Sequence, residues 1–312
     1  MRTRAIGNES VGIVEVGSIG VGTLPMSLPF RPPREQCLRT IHAAIDTGMT
    51  LLDTADSYCA GPAEFGYGEE LVAEALARYS GDTDRVLVAT KGGHLRPSDD
   101  EWTVCGTPDY LRRACDASLA RLGVEAIGLY QHHRADPAVP YAESLGALRE
   151  LWCAGKVRMI GISNASVAQI ETARQVLGPA LVSVQNRYAP NFRSAAAELN
   201  LCATQGLAFL PWGPLGSIGE ARALGSLHPA FAEVAVEHGV TPQQVCLAWH
   251  LAAADAVIPI PGASRPESIA ASVTAADLTL TVEELSRLDT PAPPKPVASN
   301  DFPPLLKQAG PQ

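Results

Sequence analysis

Residues 50–68 read TLLDTADSYCAGPAEFGYG. The short apolar run at 50–52 delivers Asp53, Asp56 and Tyr58 into a glycine-containing loop, and helical periodicity begins near Glu69. This is the pattern of a buried strand whose C-terminal end carries chemistry. The same event recurs along the chain. VLVAT (86–90) ends in Lys91, IGLYQ (127–131) in His132 and His133, and VRMIGI (157–162) in Ser163 and Asn164. LVSV (181–184) ends in Gln185 and Asn186, LAFLP (207–211) in Trp212, and AVIPIP (256–261) in Gly262, with Ser264 and Arg265 behind it. Runs this continuously apolar suit parallel strands buried on both faces. With VGSIGVGT (16–23) as the first strand, eight strand-plus-helix units are countable. The prediction is an α/β fold, a TIM-type (β/α)8 barrel, with all 312 residues in a single domain.

Around that barrel the sequence predicts a short β-ribbon at 1–15, turning at Gly7-Asn8 or Glu9-Ser10. Thr107 before Pro108, and Ser166, read as helix caps. Thr281 with Glu284 forms a capping box that opens an extra C-terminal helix. Two helical stretches surround the break at 239–242, and a proline-rich, irregular tail occupies 291–312. The loop at 92–106 is long enough to lie over the strand ends. VGSIGVGT lacks the full GxGxxG and its helix, so a Rossmann fold is not expected.

The formal net charge is −9, and Lys and Arg are not clustered, which argues against a nucleic-acid or anionic-membrane surface. No apolar run approaches the length of a membrane span, and the N-terminus does not read as a signal peptide. Seven scattered cysteines without a CxxC pair suit a reducing compartment, so the expectation is a cytoplasmic protein. Cys59, beside Tyr58, would be a reactive thiol if exposed.

In such a barrel the C-terminal strand ends converge, which brings together Asp53, Tyr58, Lys91 and one of His132 and His133. Adjacent strand residues face opposite sides, and spacing alone does not choose between the two histidines. Asp53 is expected to hold Lys91, and Lys91 to lower the Tyr58 pKa from its ordinary value of about 10. His132, His133 and Asp136 look superficially like metal ligands, but no His-x-His on the first strand completes such a site; no metal is expected.

At this point the chain resembles the aldo-keto reductase family. LLDTADSY, VATKGG and GLYQHHR are similar to its Asp/Tyr, Lys and His strands, in order, over about residues 17–277. The resemblance implies a catalytic tetrad of Asp53, Tyr58, Lys91 and His133, with His132 where the family often has Leu. It implies NADPH-dependent reduction of an aldehyde or ketone to an alcohol, with Tyr58 as general acid. The cofactor residues it implies are Gly22, Thr23, Asp53, Ser163, Asn164, Gln185, Trp212, the GPLG turn (Gly213, Pro214, Leu215, Gly216), Gly262, Ser264 and Arg265. Ser268 and Ser272 stand where the family has Gln and Asn. Met26, Tyr58, His94, Trp102, His133 and Phe302 are the substrate-contact candidates. The partner is a small-molecule carbonyl or alcohol, and a homo-oligomer is compatible with the sequence. The alternative is an NADP(H)-binding regulatory subunit with little turnover.

Overall fold

The structure is a computed structural model that describes residues 1–290. The tail expected at 291–312, and with it Phe302, lies outside the described residues. The strands are β1 (Thr3–Asn8), β2 (Gly12–Gly17), β3 (Val21–Gly22), β4 (Leu51–Asp53), β5 (Leu87–Gly92), β6 (His94–Leu95), β7 (Thr103–Val104), β8 (Ile127–His132), β9 (Val157–Ser163), β10 (Leu181–Gln185) and β11 (Ala208–Phe209). The helices are α1 (Arg34–Asp46), α2 (Tyr67–Arg78), α3 (Pro108–Leu122), α4 (Tyr141–Cys153), α5 (Val167–Leu177), α6 (Ala196–Gln205), α7 (Leu224–Leu227), α8 (Pro229–His238), α9 (Pro242–Ala253), α10 (Pro266–Thr274) and α11 (Val282–Asp289).

Seven strands pair in parallel in the order β3-β4-β5-β8-β9-β10-β11. Residues 257–262 close the barrel through parallel bridges, Phe209 to Val257 and Trp212 to Ile260 on one side and Gly22 to Gly262 on the other. The amides of Ile258 and Ile260 donate toward β11, while the carbonyls of Pro259 and Pro261 accept from Gly20 and Gly22 at 3.0 Å. Those two prolines have no N–H to return toward β3, so the eighth strand is a chain of bridges instead of a full ladder. At the same seam a Cβ on Gly22 would lie 3.2 Å from the Ile260 carbonyl, and one on Gly262 would lie 2.7 Å from Pro25.

The period-two alternation of the strands separates core from chemistry. Leu51 leads to Asp53, Leu87 and Ala89 lead to Lys91, and Leu129 leads to Gln131 and His133. The apolar members of these series form the barrel's interior cluster, with Met159, Val182, Leu210, Ile258 and Ile260. The intervening Leu52 and Tyr130 face outward and pack under the helices.

The N-terminal ribbon, with Thr3 opposite Gly17 and Asn8 opposite Gly12, contributes Ile6 and Val16 to that interior cluster. Both are fully buried, a burial of about 1.5–3 kcal/mol per side chain of this kind. Arg4 ties the ribbon down by donating to the carbonyls of Leu251, Ala254 and Val257. Val16 and Gly17 thus belong to the ribbon, which shortens the first barrel strand from the expected 16–23 to Val21–Gly22.

Ser166 and Thr281 cap their helices in capping boxes with Gln169 and Glu284. Thr107 occupies the N-cap position of α3, but its side chain makes no capping bond; its hydroxyl meets Cys105 Sγ at 3.4 Å. The expected loop at 92–106 contains a small hairpin, with His94 opposite Val104 and Leu95 opposite Thr103.

Candidate active site

Asp53, Lys91 and Tyr58 meet at the C-terminal end of the barrel. The Lys91 ammonium is fully buried and donates to Asp53 Oδ2 at 2.7 Å, to the Thr54 carbonyl at 2.8 Å and to the Tyr58 hydroxyl at 3.3 Å. The loop holding Tyr58 is tied to this strand, because the Asp56 amide donates to the Lys91 carbonyl and the Asp56 carbonyl accepts from Gly66. On the third side the His133 ring meets the Tyr58 ring edge-on, with centroids 5.7 Å apart.

His132 and His133 part company at the strand end. His133 faces the phenol, while His132 turns outward, 5.6 Å from the Tyr141 ring on α4, with neither ring nitrogen hydrogen-bonded. His94 lies against His133 with centroids 4.0 Å apart and meets Trp102 edge-on at 5.7 Å, so both enter the candidate site's wall. Arg96 covers the Trp102 ring at 4.4 Å. Met26 is fully buried in the apolar layer with Ile41 and Leu52, a packing position instead of a surface open to a ligand.

The family model for the aldo/keto reductases matches residues 18–291. The chain belongs to the aldo/keto reductase family. An uncharacterised oxidoreductase of Schizosaccharomyces pombe is 33% identical over 287 residues, covering 91% of this chain and 89% of its own. Among solved structures, a glycerol dehydrogenase from Gluconobacter oxydans is similar with a TM-score of 0.79 at 25% identity, over 95% of this chain and 98% of its own. An aldo-keto reductase from Klebsiella pneumoniae in complex with NADPH is similar with a TM-score of 0.74 at 27% identity, over 95% and 98%.

In this aldo/keto reductase the next arc of the rim is a hydrogen-bonded chain. Ser163 Oγ donates to the Gln185 carbonyl at 2.7 Å, and the Asn164 amide donates to the His133 carbonyl at 3.1 Å and to Ser163 Oγ at 3.0 Å. Trp212 Nε1 donates to Asn164 Oδ1 at 3.2 Å. Asn164 has φ of 56°, the left-handed region that Asn tolerates better than most residues. Beyond Trp212 the GPLG segment is a tight turn, with Gly216 N donating to the Gly213 carbonyl at 2.9 Å and both glycines at positive φ. Thr23 donates to the Asp53 carbonyl through its amide and hydroxyl. The Ser264 carbonyl accepts from Gln36, and exposed Arg265 opens α10, which also carries Ser268 and Ser272.

Burial dominates the site's electrostatics. It pulls the Lys91 ammonium down, but Asp53 and Tyr58 outweigh it, and the net shift is upward. Burial also raises the Tyr58 phenol; Lys91 opposes this with the expected sign but does not prevail. The net rise corrects the expectation of a lowered phenol. Burial, then the charges and rings around them, depress both imidazoles, His94 to about 3 and His133 well below its ordinary value, so both are neutral at pH 7. Cys59 is fully buried and its thiol is pushed up by burial, a packing position instead of a reactive one.

Gln131 was missed by the reading of strand ends. Its amide donates to Asp53 Oδ1 at 3.2 Å, beside the Gln185 amide at 2.7 Å. The available signal was its place two residues before His133, on the same face of β8. Among the described residues no group of three or more His, Cys, Asp or Glu is placed to hold a metal ion.

Proposed function

We propose that this aldo/keto reductase uses NADPH to reduce an aldehyde or ketone to an alcohol, with Tyr58 as general acid and Asp53, Lys91 and His133 as its supporting groups. The observation that carries the reading is the buried Lys91 ammonium shared between Asp53 and the Tyr58 hydroxyl. NADPH, when bound, would supply the hydride for the carbonyl carbon. Tyr58 delivers its phenolic proton to the carbonyl oxygen, which completes the alcohol. Lys91, kept charged by Asp53, stabilises the phenolate left behind. Neutral His133 is suited to donate a hydrogen bond that orients the carbonyl oxygen toward Tyr58.

Ser163, Asn164 and Gln185 would hold the nicotinamide amide, Trp212 would lie against its ring, and the 213–216 turn with Gly22, Thr23 and Gly262 would line the rest of the dinucleotide. The left-handed Asn164 and the two positive-φ glycines of the 213–216 turn fit such a ligand. Arg265, with Ser264, Ser268 and Ser272 near it, would meet an adenosine 2′-phosphate, which favours NADPH over NADH. The Klebsiella relative's NADPH complex supports the same choice.

The test is single-turnover oxidation of bound NADPH by an activated aromatic aldehyde. In Tyr58→Phe the hydride-transfer rate falls by about a hundredfold or more while NADPH binding is kept. Tight NADPH binding without turnover in the parent chain would overturn the reductase reading in favour of a regulatory one.

A further inference from the structure

Among the described residues, the arginines sheltered from solvent are bonded, with one exception. Arg31 pairs with Glu64, Arg112 with Glu150, Arg121 with buried Glu69, and Arg96 donates to the carbonyls of Cys59, Ala60 and Asp99. Arg134 is half-buried and, among the described residues, has no hydrogen bond, ion pair or ring contact. It follows His133 directly. The His133 amide donates to the Gly92 carbonyl at 2.9 Å, and a Cβ on Gly93 would lie 3.8 Å from the Arg134 carbonyl, which sets Arg134 beside the segment that leads into His94; its charge helps depress both imidazoles. Among the described residues no carboxylate counters it, and burial lowers its pKa. The nearest acid in sequence, Asp136, is turned away to the amides of Gly106 and Ala138.

A guanidinium held partly out of water without an acceptor is a standing cost, which an anionic ligand would relieve. The neighbouring His94 also keeps a sheltered, unbonded Nδ1. We propose that Arg134, with His94 beside it, is an anion subsite, and that the substrate is a carbonyl compound that also carries a carboxylate. This rests on the reductase reading: the carbonyl lies at Tyr58 and His133, and the carboxylate reaches past the His94–Trp102 wall to Arg134. In a chain of net charge −9 such a local cation selects acids that the overall surface would repel.

The probes are 4-carboxybenzaldehyde and its methyl ester, alike except for the charge. Binding is titrated by calorimetry on protein supplied with NADP+, where no hydride is available, and kcat/KM is measured separately with NADPH. The parent is expected to bind the acid about ten- to a hundredfold more tightly than the ester, a preference that Arg134→Gln abolishes and Arg134→Lys partly keeps. Ester binding stays unchanged in both variants. Equal binding of acid and ester by the parent, or an equal loss of both in Arg134→Gln, would overturn the subsite. Should neither aldehyde oxidise NADPH, the reductase reading fails, while the titration still decides on the subsite.

Discussion

Gln185 Nε2 lies 2.7 Å from Asp53 Oδ1, the carboxylate oxygen that Lys91 does not take. Gln131 reaches the same oxygen at 3.2 Å, so the buried carboxylate is satisfied on both sides. Gln185→Leu leaves one of those donors missing and is expected to cost about 1–3 kcal/mol of stability. Urea unfolding of the variant checks it; an unchanged midpoint would show that Gln131 suffices alone.

Lys91→Met removes the cation between Asp53 and Tyr58. Because the cation lowers the phenol's pKa, its loss shifts the ascending limb of the alcohol-oxidation pH profile, where Tyr58 must be ionised to act as base, to higher pH, and the rate at pH 8 falls by about a hundredfold or more. The buried Asp53 charge left without its partner costs about 3–5 kcal/mol. Steady-state profiles and thermal melts read the two effects separately.

Four sheltered histidines, the buried His132, His133 and His250 and the partly buried His94, have depressed pKa values; burial brings His94 to about 3 and His132 and His250 to about 4. Above the unfolded value of about 6.5 neither state binds the proton, and stability is complete. Below it the unfolded chain takes up protons that the folded chain refuses, and each histidine removes about 1.4 kcal/mol per pH unit until its folded pKa is reached. His132→Leu removes one such group and its two unbonded nitrogens. The variant is expected to be more stable at pH 7 and to lose less between pH 6.5 and 4, as read from urea midpoints.

Asp56 works in the opposite direction. Burial, then the Glu69 carboxylate, raise its pKa well above the usual range, so the folded protein holds it neutral where the unfolded chain ionises. Its contribution to stability is complete below about pH 4 and drains away as pH rises toward the folded pKa. Asp56→Asn fixes the neutral form. Its stability relative to the parent should grow with pH above 5, by about 1.4 kcal/mol per unit at most; a difference that does not vary with pH would show that Asp56 ionises in the fold.

Arg265→Ala tests the phosphate contact. Removing the charge should weaken NADPH about tenfold and leave NADH unaffected, as read by fluorescence titration of both cofactors. Equal weakening of both would mean that Arg265 acts through the fold of α10.

The barrel and the convergence of Asp53, Tyr58 and Lys91 were legible because each strand advertises its inner face in steps of two and ends in a polar group. The choice of His133 over His132 needed the family's pattern, since two adjacent imidazoles look alike in a string of letters. Gln131, Arg134 and the hairpin from His94 to Val104 were not legible. Their roles depend on which neighbours are absent or satisfied, a property of packing that no local spacing encodes. The sign of the Tyr58 shift failed for the same reason: depth of burial outweighed the one charge that the sequence made visible.

The β-ribbon at the base of the barrel has a bearing on traffic. Ile6 and Val16 are buried in the interior cluster and plug that end with apolar side chains. Approach to Tyr58 from below is thereby closed by two residues at the far end of the molecule.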